Sequence, residues 1–310
     1  SILARGRDEY PASLRFVTST LRYNRMKWLI VDALEKHWEQ GRVEASVSGA
    51  HSLTLKTSNV AALTLTFAAG RSLIAPGEAR LVVDGQTVTL PGPESDLSWR
   101  PSLIKTAGRW SAGVPASGEL RKRHGLQGPI DDAFMSRFVM VTPTGTSPNT
   151  TLQRWADAER QRAWKEWRGQ FRGEAITKTD SEITDADIAS SNLILWGDPQ
   201  SNKVLARIAD KLPVQWTRDA VQVGGQSFPA ASHAAILIYP NPLNPAKYVV
   251  LNSGITFREA HYLTNSQQTP KLPDYAVVDL TTPPDARSPG RIALAGFFGE
   301  RWELLANHGQ

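Results

Sequence analysis

The hydrophobic period changes along this chain, and that change narrows the folds open to it. In 42–48 the apolar residues Val43, Ala45 and Val47 recur at every second position, and 52–57 and 62–67 repeat the pattern. Alternation of this kind puts one face of a strand in a core and the other in water. The runs 14–21 and 27–31 are β-rich as well, and 80–90 reads as a hairpin with Asp84-Gly85 as its type I′ turn. Six or seven short strands at this spacing predict an Ig-like antiparallel β-sandwich over 14–95. Residues 1–13, with Ile2 and Leu3 as an apolar face, read as the helical tail of a preceding domain, ended before Pro11. The span 96–136 is rich in Pro, Gly and Ser at its start. It reads as a linker with one more hairpin, between Trp99 and Trp110.

From Arg137 onward strands and helices alternate. The runs 138–141, 192–196, 235–239, 248–252, 274–279 and 291–296 are short and mainly apolar, as expected of strands covered on both faces. In 148–171 the residues Leu152, Trp155, Ala156, Ala163, Trp164 and Trp167 fall at three- and four-residue steps and predict an amphipathic helix. Thr184 can cap a short helix ahead of Asp187, and 203–211 reads as a further helix. The expectation for 137–310 is therefore a three-layer α/β domain with a partly parallel sheet.

Composition removes several chemistries. The chain of 310 residues has no cysteine, so a disulfide, a thiolate nucleophile and Cys-bound zinc are excluded. The net charge of +5 is spread out and does not call for a nucleic-acid partner. No run approaches the roughly 20 apolar residues of a membrane span, and Ser1 to Arg5 show no signal-peptide core.

Motifs narrow the chemistry further. G-x-S-x-G is absent, so an α/β-hydrolase nucleophile elbow is missing. Ser253, in Asn252-Ser253-Gly254 after an apolar strand, is the nearest candidate nucleophile. It would need a histidine in reach, with His233 and His261 nearest in sequence. The six histidines show neither H-E-x-x-H nor H-x-H spacing, so no metal and no cofactor is expected. The loops 142–145 and 197–202 leave strand ends, and Thr144, Gly145, Asp198 and Asn202 are the ligand-binding candidates at a sheet edge. Asp131 and Asp132 are placed to cap the helix that begins at Pro129. The basic run Arg121, Lys122, Arg123, His124 reads as a solvated loop, with an anion grip as the alternative.

Several runs carry a resemblance. They are Thr20-Leu-Arg-Tyr-Asn-Arg-Met-Lys-Trp28, His37-Trp38-Glu39 and Asn59-Val-Ala-Ala-Leu-Thr-Leu65, then His124-Gly-Leu-Gln-Gly-Pro-Ile-Asp-Asp-Ala-Phe134, Asn192-Leu-Ile-Leu-Trp-Gly-Asp-Pro199 and Tyr239-Pro-Asn-Pro-Leu-Asn-Pro245. Together they resemble the C-terminal region of large bacterial secreted esterase or peptidase proteins, α/β-hydrolase relatives of the prolyl-oligopeptidase and polyhydroxybutyrate-depolymerase kind. The resemblance implies that the Ser-Asp-His machinery sits in an N-terminal hydrolase domain or chain, which is the expected partner. It also implies a secreted or periplasmic location and a polymer, peptide or ester substrate for the parent. The chain itself would be a non-catalytic portion shaping substrate access or assembly, with residues 14–16 or exposed tryptophans as a contact face. Two alternatives stand beside this one. A stand-alone enzyme would bring Thr144, Asp198 and Ser253 into one pocket. A carbohydrate-binding or adhesion module would line up open tryptophans on the sandwich.

Overall fold

The computed structural model describes residue 6, residues 8–116 and residues 118–305. It divides into two compact units, Ser1–Gln127 and Gly128–Gln310. The first residues of the expected helical tail lie outside the described residues, and residues 8–12 form no helix.

The first unit is a sandwich of two five-stranded sheets. One sheet holds β1 (Ser13–Thr18), β4 (Gly41–Gly49), β5 (Ser52–Ser58), β7 (Glu78–Val83) and β8 (Gln86–Pro91), in that order. The other runs from β10 (Arg109–Ala112) through β9 (Ser102–Thr106), β6 (Val60–Leu65) and β3 (Leu29–Leu34) to β2 (Arg25–Met26). Period-two burial is visible in β1, where Leu14 and Phe16 are buried while Ser13, Arg15 and Val17 are exposed. All described pairings in the sandwich are antiparallel except β5 with β7, which run parallel from Ser52↔Arg80 to Leu55↔Val83. The Asp84-Gly85 turn has φ of 50° and 81°, the paired positive values that a type I′ turn requires.

The expected linker is largely sandwich. The hairpin of β9 and β10 turns at Ala107-Gly108, and β9 pairs with β6. Trp99 and Trp110 are buried in the same core as Leu14 and Leu53. Chain crossing between the sheets falls at Asn59, which has φ of 54°. Its amide accepts from the Lys36 N–H and donates to the carbonyls of Lys36 and Glu39, pinning the 35–40 loop.

The second unit holds a seven-stranded sheet. Its order is β12 (Thr177–Thr179), β11 (Phe138–Thr142), β13 (Asn192–Leu195), β18 (Asn244–Leu251), β17 (His233–Asn241), β19 (Tyr275–Asp279) and β20 (Arg291–Gly296). The first four strands are parallel and the remaining pairings antiparallel. Every residue of β13 and β19 is buried, in keeping with the apolar runs 193–195 and 275–278, whereas β20, at the edge of the sheet, has no buried residue and is not covered on both faces as expected. A separate small sheet of β14 (Gln215–Trp216), β15 (Ala220–Val223) and β16 (Gln226–Pro229) turns at Gly224-Gly225.

Helix α1 (Thr150–Phe171) connects β11 to β12, and α2 (Asp185–Ser190) connects β12 back across β11 to β13. These crossovers run in opposite directions. Right-handed connection of each therefore puts the two helices on opposite faces of the sheet, which makes three layers. A capping box between Thr184 and Asp187 starts α2 as the sequence predicts. Helix α3 (Lys203–Ile208) follows β13 and begins at the Asn202 cap.

Candidate site at the carboxyl edge of the parallel strands

The parallel strands β12, β11, β13 and β18 all end on one edge of the sheet. The chain leaves β11 toward one side and β13 toward the other, so the gap between their ends is the topological switch point, where open α/β sheets place ligands. Both predicted loops meet there. The Gly145 N–H donates to the Ser201 carbonyl at 2.9 Å, and the Ser147 hydroxyl donates to Asp198 Oδ2. A Cβ on Gly145 would stand 2.8 Å from the Ser201 carbonyl oxygen, so the loops approach as closely as they do because that residue is glycine.

The polar groups at this edge are turned inward. Asp198 is buried, and its Oδ1 accepts from the N–H groups of Gln200 and Ser201. Asn202 caps α3 by accepting from the Val204 and Leu205 N–H groups, and its amide donates to the Trp196 carbonyl. Thr144 and Gly145 are exposed. Asp180, after β12, accepts from the Lys203 N–H at 2.7 Å. Burial raises its pKa, but hydrogen bonds from Lys203 and Thr144 outweigh that and hold it below the ordinary carboxylate value.

Ser253 lies on the same edge and is buried. Its hydroxyl donates to the adjacent Gly254 carbonyl at 2.9 Å. Asn252, with φ of 50°, ties this turn to the β13 loop by accepting from the Gly197 N–H and donating to the Gly197 carbonyl. The two histidines nearest in sequence are engaged elsewhere. His233 Nδ1 bonds the Pro229 carbonyl and the Ser232 hydroxyl, and His261 Nδ1 accepts from the Arg258 N–H. Thr144, Gly145, Asp198, Asn202 and Ser253 thus share one edge, linked through Ser201, Gly197 and Asn252. Their bonds close the loops on one another.

The most heavily charged part of this edge escaped the sequence reading. The loop that follows Ser253 is held against α1 by a buried ion pair in which Arg258 grips Glu159 through two bonds of 2.8 and 3.0 Å. Glu159 and Glu166 occupy buried positions on the helix stripe, whereas Trp164 is exposed. Beside them Arg162 donates to the Phe257 carbonyl. Tyr262 is pushed well above its ordinary pKa by burial and by the Glu166 carboxylate. The stripe is readable as a helix face, but Glu159 on it gives no hint of its partner 99 residues away.

Asp131 and Asp132 do not cap a helix. Residues Ile130–Met135 form a 3-10 turn whose start has no side-chain cap bond. Both carboxylates are buried and reach distant partners in different directions. Asp131 accepts from the Thr256 N–H and hydroxyl, and Asp132 accepts from the Tyr248 hydroxyl at 2.7 Å. Burial raises the Asp131 pKa to about 6, against the lowering effect of the Thr256 bonds.

The basic run is solvated only in part: Arg123 and His124 are exposed, whereas Arg121 is half-buried and Lys122 buried. Lys122 is 1% exposed, His124 Nδ1 bonds the Leu21 carbonyl, and Arg121 lies against Asp32. Seven of the ten tryptophans are buried, with only Trp38 and Trp164 exposed, so no row of open tryptophans crosses the sandwich. Among the described residues no group of three or more His, Asp or Glu side chains is placed to hold a metal ion, and no helix is long and apolar enough to cross a membrane. No family model, no curated protein and no solved structure matches the chain.

Proposed function

We propose that this chain is a non-catalytic portion of a larger secreted or periplasmic serine hydrolase, an esterase or peptidase, and that it shapes substrate access or supports assembly. The hydrolase link rests on the resemblance of the 124–134, 192–199 and 239–245 runs. The observation that favours a non-catalytic role is the state of Ser253, whose hydroxyl is spent on its neighbour's carbonyl with no histidine among the described residues bonded to it. A serine nucleophile needs a base within hydrogen-bond reach. The other hydroxyls and carboxylates of the edge, Ser147, Ser201 and Asp198, are likewise taken up in closing the loops.

Labelling with a fluorophosphonate serine-hydrolase probe, read by intact mass, tests this. The 34.0 kDa chain is expected to carry no adduct. In material purified from its natural source, the adduct is expected on a longer polypeptide containing this chain or on one that co-purifies with it. An adduct on the chain itself that disappears in Ser253→Ala would overturn the non-catalytic role. Absence of labelling from the native material would remove the hydrolase link.

A further inference from the structure

An open groove on the sandwich unit carries polar groups that the fold does not use. It encloses about 720 Å³ and is lined by the segment 8–10, Arg25 and Lys27 beside β2, Thr66, and the loop 70–73. That volume falls within the range of small-molecule sites. Glu9 is paired with Lys27 at 3.0 Å, so these two neutralise each other. What remains is cationic. The Arg71 guanidinium is exposed and makes no hydrogen bond or ion pair with any described residue. Among the described residues Arg25 uses only Nε, on the Lys27 carbonyl. Asp8 uses one carboxylate oxygen on the Tyr10 N–H and leaves the other as an acceptor.

Tyr10 supplies the apolar part of the wall. Its ring stacks 6.0 Å from Phe67, which stacks in turn on the buried Trp28 and Trp99 at 5.3 and 6.0 Å. The half-buried ring is thus held as the outer end of a rigid aromatic column, already in place for a ligand. An aromatic face accepts the C–H face of a pyranose ring. Free guanidinium forks pair bidentately with carboxylate or sulfate, and a lone carboxylate accepts from hydroxyls. Asp8 disfavours a compact, fully ionised anion such as inorganic sulfate, which has no proton to donate to it, and suits a ligand with hydroxyls beside its charge.

We propose that this groove binds an anionic saccharide, its carboxylate or sulfate on Arg25 and Arg71 and its ring on Tyr10. This does not depend on the hydrolase reading, because every residue involved belongs to the sandwich unit.

Isothermal titration of the whole chain at low salt tests the site, using oligogalacturonate, a sulfated oligosaccharide of similar length and a neutral cello-oligosaccharide. Binding of the uronate, the sulfated sugar or both is expected, and which of them binds identifies the source of the oxyanion. Arg71→Ala and Arg25→Ala should each weaken that binding about tenfold, as loss of a charged hydrogen-bonding group does. Both positions are exposed, so circular dichroism should be unchanged. Failure of both anionic sugars to bind would overturn the proposal. So would equal binding of the neutral sugar, or an equal loss in Arg80→Ala, an exposed control on β7 outside the groove.

Discussion

Burial sets the sign of what protonation does at Asp131. Its folded pKa of about 6 lies above the ordinary 3.8, so the folded chain holds this proton more tightly than the unfolded chain. The stability this group contributes is fully present below about pH 3.8 and is lost as pH rises through about 6. Each pKa unit corresponds to about 1.4 kcal/mol, so the whole effect is of order 3 kcal/mol. Asp187 and Asp279 have the opposite sign. Hydrogen bonding, from Lys178 to the first and from Thr281 to the second, lowers each to about 2. Their contribution is present above pH 3.8 and lost as pH falls through about 2. Urea melts between pH 4 and 7 should therefore show wild type losing stability toward neutral pH relative to Asp131→Asn, which cannot ionise. Parallel pH profiles for the two proteins would contradict the raised pKa. Nothing in the sequence near Asp131 announces this behaviour, because the rise comes from burial among residues distant along the chain and exceeds the lowering by the Thr256 bonds.

The elements carry the same lesson at larger range. Helix α1 was readable from its stripe, and its ends follow local rules. Asn149 accepts from the Thr151 and Leu152 N–H groups, and Arg172 closes the helix in the left-handed region with its N–H on the Arg168 carbonyl. Its buried acids were not readable, because a charge on an apolar stripe is tolerated only when a partner arrives from elsewhere. Removing that partner strands the other charge. Glu159→Ala should cost about 3–5 kcal/mol by urea denaturation, the range for breaking a buried pair. Replacing both Glu159 and Arg258 with apolar residues of similar volume should recover most of that loss. A cost below about 1 kcal/mol for the single change would mean that the pair is solvated and that the 254–262 loop is held by other contacts. The expected 96–136 linker shows the converse error. Its Pro and Gly content signals turns correctly, but turn residues do not say whether the strands they join belong to a core.

At the scale of the molecule, two cores form in sequence, one ending at Gln127 and the next beginning at Gly128. The strand β10 ends at Ala112, and the chain between it and the Arg121–Leu126 segment includes exposed residues such as Val114 and Glu119. Exposed segments outside regular elements are the preferred sites of proteolytic nicking. Limited digestion with a Glu-specific protease should cut first after Glu119, giving fragments of residues 1–119 and 120–310 by mass. A first cut inside the α/β unit would mean that this unit, and not the connection, is the less stable part. Within that unit the sheet topology brings Thr144, Asp198 and Ser253 to one edge. Topology alone does not make them a pocket, since the hydrogen bonds given above join their loops directly.

What the amino-acid order determined by itself is whatever depends on neighbours along the chain. Alternation at Val43, Ala45 and Val47 made a half-buried strand, Asp84-Gly85 made the turn between β7 and β8, Thr184 capped its helix, and the apolar runs of β13 and β19 marked strands covered on both faces. Those properties follow from backbone geometry and from the period of side-chain burial, which operate over a few residues. Only the tertiary structure decided the partners of Asp131 and Glu159, the burial of Lys122, the parallel pairing of β5 with β7, and the membership of β9 and β10 in the sandwich. Each of these depends on residues far apart in sequence meeting across a core. Which of the possible meetings occurs is set by packing and by the need to satisfy every buried polar group, conditions that no local window of the chain contains.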